Sequence, residues 1–418
     1  MHDARQPMTA DPSPTADLAP IASGGQATAP GQSKGSGVGL LAVFGSTFFQ
    51  LCGIFMLSPL LLLMLKGAQV STTVAGLFAA TTWLGVFIIT PFASQLTRRI
   101  GRRQAMWLAS TAPLLSAIGF MATDVLWLWF ALELMAGVAG GLRWVLAEAF
   151  IAEFAPPEQI GRTIGSYATM VGLTFVVGPA LLAWVGIGSA HAMWVIIVML
   201  GVGLAWTALI PRLPPDHDSH SASVGPQGLW QAVLAHPVIM LAGFLGGFYE
   251  LGLASILPLY GLALGLGASA ATLLVSVSGA GGTLMALPSG MLADRFASPE
   301  RGRRSMMAVF AGLILLSTLT SPWVAQAPSL IWPVVAIWGA AGGALYTLAM
   351  IDIGAREKGI TLVNSTAVLV LTYTLGGLVA SAASGALIES SPTLGFPLLL
   401  TALALAGCVA LVRHSKRF

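Results

Sequence analysis

SQLTRRIGRR at residues 94–103 and GMLADRFASPERGRR at residues 290–304 are two versions of one phrase, the second with five extra residues before its closing Gly-Arg-Arg. Each begins where one apolar run ends and stops where the next begins. A repeat of that length implies two similar halves, each made of several membrane spans around one basic loop.

The apolar runs on either side set the class. Hydrophobic residues make up 56% of the 418 and charged residues 8%, against about 25% charged in soluble domains. That balance excludes an ordinary soluble domain. A run of about 20 apolar residues crosses a bilayer as a helix, and twelve are found: 38–64, 72–96, 104–122, 125–147, 164–186, 190–210, 236–262, 269–292, 305–321, 328–350, 362–386 and 394–413. They are continuously apolar, whereas barrel strands alternate. The 49 glycines suit membrane helices that pack closely. The expected fold is an all-α membrane protein of twelve transmembrane helices in two six-helix bundles.

Polar breaks give the domains. Residues 1–37, rich in Ala, Pro, Ser, Thr and Gly, read as a disordered cytoplasmic tail, and they lack the apolar core of a signal peptide. An N-terminal six-helix bundle over 38–210, a cytoplasmic linker over 211–229 and a C-terminal bundle over 230–418 follow. Cys52 and Cys408 fall inside spans 1 and 12 and imply neither a disulfide framework nor a metal site.

Charge gives orientation. Of 19 Lys and Arg, only Lys66 follows an odd-numbered span and only Arg143 lies within one. Positive loops stay on the cytoplasmic side, so both termini are expected there, in a multi-pass protein of the cytoplasmic (inner) membrane. The net charge of +3 reflects this anchoring and not a nucleic-acid surface.

The string GMLADRF…GRR resembles the loop signature of the major facilitator superfamily between spans 8 and 9, and 94–103 resembles its counterpart between spans 2 and 3. LRWVLAEAFI with PPEQIGRTIGSYATMVGLTFVVGPALL at 142–182, LPLYGLALG at 257–265 and WGAAGGALYTLAM at 338–350 are similar to the YcaD-like branch. The resemblance implies a cytoplasmic latch drawn from Gly290, Asp294, Arg295, Gly302, Arg303 and Arg304 in the C half and Arg99, Gly101, Arg102 and Arg103 in the N half. Glu148 and Asp352, at the ends of spans 4 and 10, are the expected acidic partners. The first copy departs from the pattern, with Ser94 at the usual Gly and Arg98 at the usual Asp. The working latch is therefore expected in the C half. The alternative, plain topology anchors, stays open for the basic residues. Gly165…Gly178-Pro179 in span 5 partly resembles an exporter signature, but Thr174, Leu182 and Ala183 replace its glycines, so a packing surface with a Pro bend is the expectation.

Ionisable groups within a bilayer are costly and mark function or a hydrogen-bonded structural role. Glu250 in span 7 and Glu133 in span 4 lie near mid-membrane and are the proton-coupling candidates. Glu250 shares a helix face with Gly243, Gly246, Gly247 and Ala254; Glu133 sits above Gly137, Gly140 and Gly141. Gln50, Phe49, Tyr249, Trp338, Tyr346, Asn364 and Tyr373 form the candidate cavity lining, with packing as the alternative for the aromatics. Arg143 is expected to snorkel to the nearby cytoplasmic end, with anion binding as the alternative. His236 and Met240 form an HxxxM pair of a kind that suits Cu(I), although Met also fills apolar gaps.

The expected activity is secondary active transport of a small molecule, driven by protons, with export slightly favoured over uptake of a nutrient or metal. A non-transporting receptor or assembly factor on the same fold is the competing class. No Walker loop, metal-ligand cluster or nucleophile motif is present, so no enzyme and no cofactor are expected. Protons, the substrate and the lipid bilayer are the expected partners of a monomer.

The orientation makes a direct prediction. In a cysteine-free background, a cysteine at Lys66 or Glu389 should react with an impermeant thiol reagent in whole cells. One at Arg102 or Lys416 should stay protected until the membrane is opened. The reverse pattern would overturn the topology.

Overall fold

The computed structural model describes residues 32–156, 159–188, 190–211, 226–296, 298–324 and 326–415. Twelve helices within them are long and apolar enough to cross a membrane: Gly37–Gly67, Thr72–Ile100, Arg102–Ala122, Leu126–Ile151, Arg162–Val185 and His191–Ala208 in the first half, then Pro237–Ala263, Ala268–Ala293, Glu300–Val324, Pro328–Arg356, Asn364–Ser390 and Gly395–Arg413 in the second. They are spans 1 to 12, and they are the twelve expected. The tail expected over 1–37 overlaps the first helix, which begins at Gln32; residues 1–31 lie outside the described residues.

The linker expected over 211–229 also differs from expectation. Residues 212–225 lie outside the described residues, and Pro226–Ala235 is a helix that runs into span 7 through His236. Its Trp230 and Leu234 are exposed, while Gly228 packs against Asn364 at the start of span 11. At 10 residues this helix is too short to register as a span.

Lipid and packing explain what is exposed. Leu41, Leu77, Leu108, Leu284, Leu287 and Leu316 are exposed, as helices not packed on all sides in a bilayer allow. Trp127, Trp184, Trp194 and Trp323 are exposed at span ends remote from the termini, the depth at which an amphipathic ring spans the interface.

Between the bundles, span 2 packs along span 11, span 5 along span 8, and span 1 against the distal part of span 7. Hydrogen bonds between the bundles run from Thr73 to Glu389, from Trp83 to Ser255 (3.1 Å), and from Ser276 to the Val176 carbonyl (2.8 Å). All lie at mid-depth or toward the face remote from the termini. Spans 4 and 10, which frame the other end, make no substantial contact. The bundles are thus hydrogen-bonded to each other at mid-depth and at the far face.

Span 7 is not a regular helix. Pro237–Gly246 and Leu253–Ala263 are α-helical, and Gly247–Gly252 between them is a π-turn. π-Turns are rare and concentrate at functional sites. This one is pressed against span 11: a Cβ on Gly247 would stand 1.8 Å from the Tyr373 carbonyl oxygen. Gly247→Ala should therefore destabilise the protein by about 1–3 kcal/mol, the usual cost of overpacking. Gly140→Ala, where no atom lies within 4 Å of an added Cβ, should be near neutral. Thermal unfolding of both variants in detergent checks the contrast.

Candidate functional site

Glu250 sits within the π-turn of span 7. Tyr373 of span 11 donates its hydroxyl to Glu250 Oε2 at 2.6 Å. Gly282 of span 8 and Gly343 of span 10 leave the room for the carboxyl group; a Cβ on either would stand 2.9 Å from Oε1. The Tyr346 ring lies 4.3 Å from that of Tyr373, centroid to centroid. No Lys, Arg or His pairs with Glu250 among the described residues. The result is a carboxyl group held by one phenol, in a pocket shaped by glycines from two neighbouring spans.

Glu133, 6% exposed, lies between spans 4 and 2 and accepts a hydrogen bond from the Thr82 hydroxyl. It too has no basic partner among the described residues. Glu148 departs from expectation. Among the described residues it forms no ion pair with the N-half arginines; Trp144 Nε1 donates to its Oε1 at 2.7 Å, and the side chain is exposed. Both Glu148 and Glu250 lie within electrostatic range of Tyr346, from opposite bundles.

The seven expected lining residues divide. Tyr346 and Tyr373 join Glu250. Gln50 is fully buried inside the N-terminal bundle, where its Nε2 donates to the carbonyls of Ser110 (3.1 Å) and Leu200 (2.9 Å). Tyr249 points the other way from its neighbour Glu250, donating to the Leu400 carbonyl of span 12 at 2.5 Å. Trp338 packs beside it, 6.4 Å between rings. Asn364 faces the helix at 226–235, and Phe49 is half-buried with its ring edge-on to Phe48. These five pack within their own bundle; the alternative reading of packing holds for the aromatics among them.

Arg143 corrects the snorkelling expectation. It is 2% exposed and turned into the N-terminal bundle. Its Nη1 donates to Ser110 Oγ at 2.6 Å, and its Nη2 to Ser46 Oγ at 2.9 Å and Thr47 Oγ1 at 3.4 Å. Ser46 and Ser110 also bond to Thr207 of span 6, at 2.6 and 3.1 Å. Spans 1, 3, 4 and 6 thus converge on one guanidinium that has hydroxyl partners and no carboxylate. The serines and threonines were visible in the sequence; their common facing was not.

The two copies of the basic loop fold differently. In the N half, Gly101 turns the chain with φ +87°, a conformation that favours glycine, while Arg102 pairs with Glu153 and Arg103 Nη2 donates to the Ala208 carbonyl at 3.3 Å. Arg98 and Arg99 are not buried. In the C half, Gly302 lies inside a helix and is needed for close approach, since a Cβ there would meet the Ala293 carbonyl oxygen at 2.1 Å. Arg303 Nε donates to Asp352 Oδ1 at 2.8 Å, and Arg356 bridges Asp352 Oδ2 (2.8 Å) to Glu300 (2.9 Å). Arg304 pairs with Glu300 at 2.5 Å. Asp352 thus has the arginine partners expected of it. Gly290 closes on Ile351, Arg295 is exposed, and the Asp294 side chain lies outside the described residues.

At the neck of the linker helix, His236 Nε2 stands 2.6 Å from Glu357 Oε1. Glu357, outside the spans, is held below the usual carboxylate range by the hydrogen bonds of Thr361 and His236. Met240 is buried core. His236 is engaged by Glu357 and does not form a ligand pair with Met240.

A family model described as the Major Facilitator Superfamily matches residues 43–358. The uncharacterized MFS-type transporter YfkF of Bacillus subtilis (strain 168) is 23% identical over 335 residues, covering 79% of this chain and 83% of its own. The uncharacterized MFS-type transporter YcaD of Salmonella paratyphi A is 26% identical over 353 residues, covering 81% and 88%. A crystal structure of the nucleoside transporter NupG superimposes with a TM-score of 0.73 at 13% identity, over 91% of this chain and 99% of that one.

The charge cluster at Asp352 yields a stability contrast. Asp352→Asn strands the buried Arg303 and should cost about 3 kcal/mol, the low end for breaking a buried pair. Glu148→Gln, at an exposed position, should change thermal stability little. Equal losses for the two would show that the Asp352 cluster carries no special weight.

Proposed function

The chain belongs to the Major Facilitator Superfamily, as a multi-pass membrane transporter of its YcaD-like branch, and we propose that it works as a proton-coupled carrier. Two bundles rock about a central cleft that opens to each side of the membrane in turn. The setting of Glu250 carries the reading. An ionised carboxylate at the middle of a helix in the bilayer costs about 2.5–3.5 kcal/mol on insertion scales, and no cation is at hand to offset it. Glu250 is therefore neutral when occluded and releases its proton when water reaches the cleft.

Tyr373 supports this cycle, because a phenol donates to the carboxylate and can turn to accept from the acid. Glu133 with Thr82 offers a similar but tighter setting in the N-terminal bundle, and is the second candidate. Tyr346, Tyr373 and Trp144 give the cleft aromatic walls, which favour small amphipathic compounds; export is the preferred direction. The protein acts as a monomer, since each chain supplies both bundles.

Gln keeps the shape and hydrogen bonding of Glu but releases no proton. In proteoliposomes, Glu250→Gln should abolish accumulation of a compound found by thermal-shift screening while its binding is kept, and substrate-driven proton movement, read with an entrapped pH dye, should vanish. Glu133→Gln should have the smaller effect. If both variants accumulate the compound with the pH dependence of the parent, neither carboxyl carries the proton.

A further inference from the structure

Two helix ends from different bundles meet at the face remote from the termini. Glu389, in the last turn of span 11, accepts the backbone N–H of Thr73, in the first turn of span 2, at 2.7 Å. The first N–H groups of a helix have no partner within it, and its dipole favours an anion there. Ser71 caps the same turn from within its own bundle, accepting from the Val74 N–H at 3.2 Å. The cap is therefore shared between the bundles. The side chains of Ser71 and Thr73 and Lys66 of span 1 lie near the Glu389 carboxylate. One turn deeper, the two helices touch backbone to backbone: a Cβ on Gly76 would stand 2.7 Å from the Gly385 Cα, and one on Gly385 2.7 Å from the Gly76 Cα.

We infer that Glu389 is a gate residue, whose carboxylate holds the far face closed by capping the N-terminus of span 2 across the bundle interface. The inference rests on the alternating-access reading above. The two parts of the contact divide the work. The glycines let the helices seat, a matter of shape alone. The carboxylate supplies the attraction, and it can let go cheaply because water at the membrane surface takes over both the N–H and the carboxylate. Opening the far face separates span 2 from span 11, so this cap must break in each cycle.

Spin labels at Gly188→Cys in the N-terminal bundle and Thr393→Cys in the C-terminal one, both at exposed far-face positions, read the distance across the gate. The measurement uses the full chain in nanodiscs with Cys52→Ser and Cys408→Ser. Glu389→Gln keeps an acceptor and removes the charge, and should raise the open population about two- to fivefold, the factor a charge–dipole term supports. Gly385→Val, which cannot seat, should raise it further. A rise with Gly385→Val and none with Glu389→Gln would overturn the role of Glu389 while leaving alternating access intact. A single unchanged distance in both variants would sink alternating access and the gate with it. Labels at Asp124→Cys and Gly188→Cys, within one bundle, should keep their distance; a shift there would mean a distorted bundle and count against the gate.

Discussion

A bilayer core offers no water, so every polar atom carried into it must find its partner in the protein. The rest of this structure follows from that constraint. It compels helices, which satisfy their own backbones. It also decides what side chains can do. Arg143 is tolerated because Ser46, Thr47 and Ser110 from two other spans turn toward it. Glu250 is tolerated because Tyr373 reaches it and Gly282 and Gly343 leave it space. The Asp352 cluster near the end of span 10 is sheltered in the same way, with Asp352 1% exposed and held by Arg303 and Arg356.

The same constraint explains what could be read from sequence. Apolar runs separated by basic loops gave away depth: twelve spans, their approximate ends, the six-and-six division and the basic loops. Depth is not azimuth. A span such as Ile331–Arg356 is apolar all round and shows almost no sidedness, so nothing in its composition told Trp338, which packs inward, from Tyr346, which meets the cleft side. Glu250 and Tyr249 are adjacent in sequence and face different neighbours. Gln50 and Arg143 were misjudged for the same reason. Their partners are hydroxyls and carbonyls scattered over three other spans, and polar residues of that kind carry no spacing signal. The helix at 226–235 escaped because it is short and lies along the surface.

Internal repetition was legible as a phrase but not as a mechanism. Gly-Arg-Arg recurs at 101–103 and 302–304, yet the first glycine serves a turn and the second serves contact. The arginines after them find Glu153 and a carbonyl in one half, and Asp352 and Glu300 in the other. Duplicated sequence preserved the location of charge at the membrane surface. The pairings differ in kind: Arg102–Glu153 is a surface pair of small worth, whereas Arg303–Asp352 is buried and costly to break.

The π-turn of span 7 has a consequence for the register of the whole helix. A turn closed from residue i to i+5 takes up one residue more than the α-turn it replaces. Elsewhere in a helix an added residue would rotate everything beyond it by about 100° and spoil the packing of the whole span. Here the surplus is absorbed in the width of a single turn, and the helical segments on either side keep their facing. Span 7 thus fits one more residue into a single turn without turning either of its α-helical segments away from its neighbours, and Glu250 lies within that turn.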